Sequence, residues 1–354
     1  MHRNPLENSF VHLGKWLRGE IPGEGSDDMS LLTSAEAANR WFTPEHSKQA
    51  LIAVGDWLID DTLAQWMRPY AVSNRANKPA LRIGLILAGN LPMVGWHDVL
   101  CVLLSGHFAV IKCSSSDTIL IPAALIAMSK HGGEAVTSRF EFVQGPMREV
   151  DAVIGTGSNN TKRHFEYYFS HVPRILRGQR TSVAVLDGHE TEADCVELGN
   201  DVFGYFGMGC RSVTKLFLPR GFDLDRLFAA WVSWSFLGTH NKYANNYDYH
   251  KAIWLLNQDA LLENGFVLLK EDRQWVSPVG TLYYEFYDDV IEVEAQLNVY
   301  QDGLQCVIRR PEADRLKVST PVVGLGKAQC PAPWDYADEV DTMKFLLELS
   351  LQHD

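Results

Sequence analysis

The chain has 354 residues, with 32 Lys+Arg against 44 Asp+Glu, giving a net charge of −12 at pH 7. That length exceeds what one hydrophobic core usually serves, so two domains are expected. Hydrophobic residues at 46% and charged residues at 21% exclude a disordered chain, and the acidic balance disfavours a nucleic-acid partner.

The six cysteines, at 101, 113, 195, 210, 306 and 330, form no C-x-x-C pair and have no His pairs at zinc spacing. No metal site is expected, and dispersed thiols in a large chain read as reduced and cytoplasmic. The opening Met1-His2-Arg3-Asn4-Pro5 lacks the apolar stretch of a signal peptide. Ile83–Trp96 and Val99–Ile111 are charge-free, but a membrane span needs about 20 apolar residues. Asn90, Pro92, His97 and Asp98 interrupt the run, so no membrane insertion is expected.

Residues 1–80 read as an amphipathic helical segment that packs on the domain after it. Thr43-Pro44-Glu45 is a helix start, with threonine as cap and proline in the first turn. Ala50, Leu51, Val54, Trp57 and Leu58 then recur at helical spacing, and Asn74–Pro79 breaks the pattern. Leu81–Ala88 reads as a buried strand ending at Gly89-Asn90. Val94–Leu104 reads as a helix stopped by Gly106, and Phe108–Lys112 as a second strand. Ser114–Asp117 resembles a capping segment for a helix over Ile119–Lys130. Phe140–Val143, Ala152–Ile154 and Val183–Leu186 read as further strands. This alternation predicts an α/β fold with a parallel sheet wrapped by helices, whose ligands sit at the carboxyl ends of strands. Beyond it, Gly204, Gly207 and Gly209 precede Cys210, and a strand spans Val213–Leu218. An aromatic cluster (Tyr243, Tyr247, Tyr249) and strands near Val276–Tyr287 and Leu304–Ile308 come next. Val340–Leu351 reads as a final amphipathic helix. The expected division is a helical segment 1–80, a nucleotide domain 81–202, a catalytic domain 203–320 and a C-terminal segment 321–354.

No phosphate loop, H-E-x-x-H or G-x-S-x-G elbow is present. Gly155-Thr156-Gly157-Ser158 is only a partial dinucleotide fingerprint. Cys210 has two readings. Glycines before it and Arg211 beside it favour a reactive thiolate, whereas free cysteine commonly serves as a small buried hydrophobe. Asn90, at a strand end, presents a neutral donor suited to an oxyanion, or it satisfies loop backbone. Lys112 either meets a nucleotide or snorkels from a strand end.

Taken together, the segments resemble a family. Ile86-Leu-Ala-Gly-Asn90-Leu-Pro92 and Leu104-Ser-Gly-His-Phe-Ala-Val-Ile-Lys112-Cys-Ser-Ser-Ser116 resemble the cofactor-domain signature of the aldehyde dehydrogenase superfamily. Val150-Asp-Ala-Val-Ile-Gly-Thr156-Gly157-Ser158 resembles its F-T-G-S turn, and Gly207-Met-Gly-Cys210 its G-Q-x-C nucleophile loop. More narrowly, the chain resembles the LuxC-type acyl-CoA reductases. Ser277-Pro-Val-Gly-Thr and Gly303-Leu-Gln-Cys-Val-Ile fit less specifically. The resemblance implies an aldehyde dehydrogenase-like fold, with a Rossmann-like cofactor domain and a second α/β catalytic domain. It implies Cys210 as acyl-accepting thiolate and Asn90, with the Cys210 backbone N–H, as oxyanion hole. Lys112, Ser114 and Ser115 would hold the adenosine ribose or its 2′-phosphate, Thr156, Gly157 and Ser158 would lie near the pyrophosphate, and Gly89 would belong to the same cofactor site. NADPH as cofactor, acyl-CoA or another acyl thioester as partner, and a homodimer are implied by the same resemblance.

Two departures qualify it: the proline expected after the lysine is Cys113, and the segment matching E-L-G-G is Arg174-Ile-Leu-Arg-Gly178-Gln, without a carboxylate. Lacking that base, water attack on an acyl-enzyme would be slow, which points to a thiol such as coenzyme A. His164 and His171 read as ordinary histidines. The alternatives are an acyl-phosphate reductase of the glutamyl phosphate type, for which a cationic substrate side would speak, and a nucleotide-binding scaffold without catalysis. Aromatic residues at Tyr243–Tyr249 and Trp231–Phe236 hint at a fatty acyl chain.

Overall fold

A computed structural model of the chain describes residues 5–70 and 79–352. The opening residues 1–4 and most of the break expected at Asn74–Pro79 lie outside that range. The chain divides into two compact units, residues 1–178 with 332–354, and residues 179–331.

In the first unit the helix start is where the capping residues place it. The Thr43 hydroxyl accepts the His46 N–H at 3.2 Å and opens the helix Pro44–Asp56. Ala50, Leu51, Val54 and Leu58 are buried, while Trp57 lies past the helix end and is half-buried. The first helix, Pro5–Leu17, packs against both this helix and Leu120–Gly132. The alternating segments beyond residue 80 supply five strands: β1 (Arg82–Ile86), β2 (Phe108–Lys112), β3 (Phe140–Phe142), β4 (Ala152–Thr156) and β5 (Arg174–Arg177). They form one parallel sheet in the order β3-β2-β1-β4-β5. Their apolar centres are buried because helices cover both faces of a parallel sheet, and Ile83, Leu85, Val110, Val153 and Ile154 are almost fully enclosed. The helix Trp96–Leu104 ends where Gly106 takes φ +76°, a conformation that favours glycine. The final helix, Thr342–Gln352, packs against Trp96–Leu104, so the C-terminal stretch belongs to this unit.

The second unit carries seven strands: β6 (Thr181–Val185), β7 (Val213–Pro219), β8 (Leu262–Glu263), β9 (Leu268–Glu271), β10 (Thr281–Tyr287), β11 (Leu304–Ile308) and β12 (Val322–Val323). Their order is β12-β11-β6-β7-β10-β9-β8, parallel throughout except for the β8/β9 pair. Its core joins Val183, Val185, Phe217, Val293, Leu297, Leu304 and Val307. The helix Glu192–Phe203 is fixed at its start by a reciprocal capping box between Thr191 and Asp194.

These boundaries differ from the expected ones. The division falls after Gly178 rather than after Val202, because β6 and the helix Glu192–Phe203 belong with the second sheet. Residues 332–354 return to the first unit, whereas 321–331 stay in the second. Strands β5, β8, β9 and β12 were not foreseen, and β10 starts at Thr281 rather than near Val276. Of the aromatic cluster, Tyr243 and Tyr247 are core residues and Tyr249 is exposed. Trp231 is fully buried and Phe236 exposed. Among the described residues no helix is long and apolar enough to cross a membrane.

Candidate active site

In an open parallel sheet, a ligand crevice forms where neighbouring strands send their connections in opposite directions. In the first sheet that switch lies between β1 and β4, and the residues singled out for cofactor binding gather at this edge. Asn90 follows β1 through Leu87-Ala88-Gly89 and is exposed. Lys112 closes β2, paired in register with Ile86, and its Nζ donates to the Gly145 carbonyl at 3.2 Å. A β-carbon on Gly89 would lie 2.5 Å from the Ser114 side chain, so Gly89 lets the two loops touch. Ser114 Oγ accepts the Ser116 N–H at 3.2 Å, and Ser115 is exposed.

Within the expected capping segment Ser114–Asp117, it is Asp117 whose side chain reaches the first turn of the next helix. Asp117 is buried; its carboxylate accepts the Leu120 N–H at 3.3 Å and the Met93 N–H at 3.1 Å. It therefore ties the loop carrying Asn90 to the head of the helix Leu120–Gly132. Met93 is held at φ +60°, a strained conformation for a side-chain-bearing residue. Burial pushes the Asp117 carboxyl up to about 6, against the pull of its backbone N–H bonds.

On the other side of the switch, Thr156 closes β4 and the Gly157 N–H donates to the Arg177 carbonyl at 3.2 Å. Ser158 caps the helix Asn159–Tyr168 by accepting the Thr161 N–H at 3.3 Å. A β-carbon on Gly157 would come within 2.9 Å of Thr161. A glycine turn running into a helix N-terminus beside the switch point suits a pyrophosphate, with Lys112 as a nearby cation on the same edge. The residues present thus fit a dinucleotide. Gly89, Asn90, Lys112, Ser114, Ser115, Thr156, Gly157 and Ser158 all lie at the carboxyl ends of β1, β2 and β4.

Cys210 belongs to the second unit, three residues before β7. The backbone leading to it is unusual. Tyr205 (φ 52°, ψ 38°), Phe206 (φ 60°, ψ 20°) and Gly207 (φ 71°) take the left-handed conformation in succession. Only the third is a glycine; strain of this kind persists where surrounding structure fixes it and gathers at functional sites. The buried Phe206 ring lies 4.3 Å from that of His240. Cys210 sits in a tight turn in which the Ser212 N–H donates to the Gly209 carbonyl and the Gly209 N–H to Ser212 Oγ, both at 3.1 Å. Ser182 Oγ, from β6, donates to the Cys210 carbonyl at 2.9 Å.

Cys210 and Cys330 are exposed and Cys113 is half-buried. Cys101, Cys195 and Cys306 are buried, and burial raises all three thiols, as it raises Cys113 to about 11. Arg211 lies beside Cys306, whose thiol its charge pulls down against that push. His164 and His171 are exposed on the surface. Neither arginine of the segment matching E-L-G-G is idle. Arg174 donates to the carbonyls of Phe169, Ser170 and Val172, and buried Arg177 pairs with Asp98 at 2.7 Å and donates to Thr342. A cavity of about 20 Å³ behind the Cys210 loop is lined by Phe203, Phe206, Tyr243 and Thr281, among others. It has room for one water rather than an acyl chain. No cluster of three or more His, Cys, Asp or Glu able to hold a metal occurs among the described residues.

No family model matches the sequence, and no curated protein matches it. Solved structures do. A mutant of the P. syringae indole-3-acetaldehyde dehydrogenase AldA, in complex with NAD⁺ and IAA, superposes with a TM-score of 0.63 at 12% identity, over 91% of this chain and 76% of that one. AldH from Staphylococcus aureus in a substrate-bound state gives 0.58 at 15%, over 90% and 80%. A Mycobacterium tuberculosis aldehyde dehydrogenase complexed with NAD⁺ gives 0.61 at 14%, over 91% and 78%. At these identities the likeness is one of fold, and the fold is aldehyde dehydrogenase-like.

Proposed function

We propose that the protein is a nicotinamide-dependent oxidoreductase that converts an acyl thioester, with acyl-CoA as the leading candidate, to an aldehyde through an acyl-enzyme at Cys210. The observation that carries the reading is Cys210 itself: an exposed thiol at the tip of a turn behind a left-handed backbone segment, in a chain of aldehyde dehydrogenase-like fold.

The Cys210 sulfur, as thiolate, attacks the acyl carbonyl carbon, and the Asn90 amide donates to the developing oxyanion. The C–S bond to the departing thiol breaks, and that thiol leaves with a proton from solvent. A bound nicotinamide would supply the hydride that reduces the acyl-cysteine. Asn90 then stabilises the thiohemiacetal oxygen until the C–Sγ bond breaks, releasing aldehyde and regenerating Cys210. Preorganised neutral donors of this kind contribute roughly 3–4 kcal/mol to acyl transfer. Lys112 and the serines that follow it hold the adenosine end, and their lack of a carboxylate suits the 2′-phosphate of NADPH. The glycine turn at Gly157 and the helix behind Ser158 receive the pyrophosphate. The segment matching E-L-G-G has no general base, and its arginines are committed elsewhere, so hydrolysis of the acyl-enzyme is disfavoured. A homodimer is part of the same proposal.

The test is to mix purified protein with acyl-CoAs of graded length and follow NADPH and NADH absorbance. Cofactor oxidation with at least one acyl-CoA is expected, with NADPH the better donor. Supplied aldehyde with NADP⁺ and no free thiol should yield little carboxylate; rapid steady carboxylate formation would show a base elsewhere and contradict the thiol-acceptor reading.

A further inference from the structure

The turn that carries Cys210 rests on a second loop, residues 324–329, and that loop is gripped from behind by one carboxylate. Asp201 lies in the last turn of the helix Glu192–Phe203, immediately before the left-handed segment, and is fully buried. Its two oxygens accept backbone N–H groups from Gly326 at 2.6 Å and Ala328 at 2.9 Å. The next residue, Gln329, reaches back: its Nε2 donates to Ser212 Oγ at 3.1 Å, the same hydroxyl that receives the Gly209 N–H. The Gln329 side chain also lies against Gly204, where an added β-carbon would meet its Cγ at 3.3 Å. Gly326 takes φ +71°, and an added β-carbon there would push the Glu197 side chain aside. The path Asp201–(Gly326, Ala328)–Gln329–Ser212–Gly209 therefore runs unbroken to the residue before Cys210.

We propose that Asp201 is a positioning residue for Cys210, and that its ionised form holds the nucleophile turn through Gln329 while its protonated form releases it. The inference rests on the reading of Cys210 as the nucleophile. An ionised carboxylate accepts two N–H groups strongly; a proton on one oxygen makes that oxygen a donor and a poorer acceptor, and one of the two grips is weakened. Burial pushes this carboxyl up to about 6. The charged groups that face it are Glu197, on its own helix, which raises it, and Lys327, on the gripped loop, which lowers it. The buried Cys306 thiol of β11 also lies within its field, and Arg211 acts on that thiol in the opposite sense. The release thus falls near pH 6.

The experiment is alkylation of Cys210 in the full chain by iodoacetamide, read peptide by peptide by mass spectrometry, for wild type and Asp201→Asn from pH 5 to pH 8. Asparagine copies the protonated acid. The wild-type rate should exceed the variant's by about tenfold at pH 8, one hydrogen bond's worth of order, and the two should converge by pH 5. Taking the ratio cancels the thiol's own titration. A ratio constant across pH would mean that Asp201 is structural only, and would overturn the proposal. Gln329→Ala supplies the second arm and does not touch the buried carboxylate. In that background Asp201→Asn should change the rate less than twofold, because the link is already cut; a full effect there would also overturn the proposal. If wild-type Cys210 reacts no faster than Cys330, the nucleophile reading fails, and the pH dependence of the ratio still decides whether Asp201 holds the turn.

Discussion

At the scale of single residues, two buried aspartates stand behind the two candidate catalytic loops: Asp117 behind Asn90 and Asp201 behind the turn of Cys210. Asp117 also makes a stability prediction. Its folded-state carboxyl is raised from 3.8 to about 6, so the folded chain binds the proton more tightly than the unfolded chain. The stabilisation this brings is complete below 3.8 and is lost as pH rises through about 6. Asp117→Asn has no such loss. Its unfolding free energy, relative to wild type, should therefore rise on going from pH 4.5 to pH 7.5 by on the order of 2 kcal/mol, on top of a constant offset for the altered hydrogen bonds. Urea denaturation at the two pH values measures it, and a difference that does not change with pH would contradict the assignment. The sequence showed Cys210, Asn90 and Lys112 because each stands beside a strand end or a glycine turn, where local composition is informative. Asp201 and Gln329 gave no such signal, since their roles arise from a contact 125 residues apart and its neighbour in space. Tyr205 and Phe206 were equally silent: nothing in an aromatic pair announces a left-handed backbone that tertiary packing imposes.

At the scale of elements, most strands were legible as short apolar runs between turns, and β2 and β7 fall where the pattern places them. Strand β5 was not, because a charged residue stands at each end of its four positions. Its buried Arg177 finds its charge partner in Asp98, on a helix 79 residues earlier, and a second acceptor in Thr342. The second sheet holds a comparable case. Lys215, in β7, is fully buried and pairs with Glu285 of β10 at 2.6 Å, with its ammonium 5.0 Å from the Phe217 ring centre and 5.3 Å from that of Trp275. Removing one member of such a pair strands the other charge, which costs about 3 kcal/mol, whereas replacing both with apolar groups is close to neutral. Glu285→Leu should thus destabilise strongly, and adding Lys215→Met should restore most of the loss. A double-mutant cycle by chemical denaturation checks this, and additive effects would contradict it.

At the scale of the whole molecule, the number of domains was legible from length, but their border was not. β6 reads as one more strand of the alternating series, and only its pairing with β7 and β11 assigns it to the second sheet. The net charge of −12 acquires a kinetic meaning under the proposed function, since nicotinamide dinucleotides and coenzyme A are polyanions. Long-range repulsion slows their encounter, and salt screens it over a Debye length of about 10 Å at 0.1 M. The association rate of NADPH should increase from roughly 10 mM to 150 mM salt, and stopped-flow fluorescence reads it. A rate that falls with salt would mean that local cations such as Lys112 dominate the approach.

The central claim is that Cys210 carries the acyl group, and the most direct measurement is intact-protein mass after brief exposure to acyl-CoA without reduced cofactor. The expected result is a mass gain equal to one acyl group on Cys210, absent in Cys210→Ser and discharged as aldehyde when NADPH is added. An acyl adduct that persists in Cys210→Ser, or wild-type protein that gains no acyl group with any acyl-CoA, would contradict it.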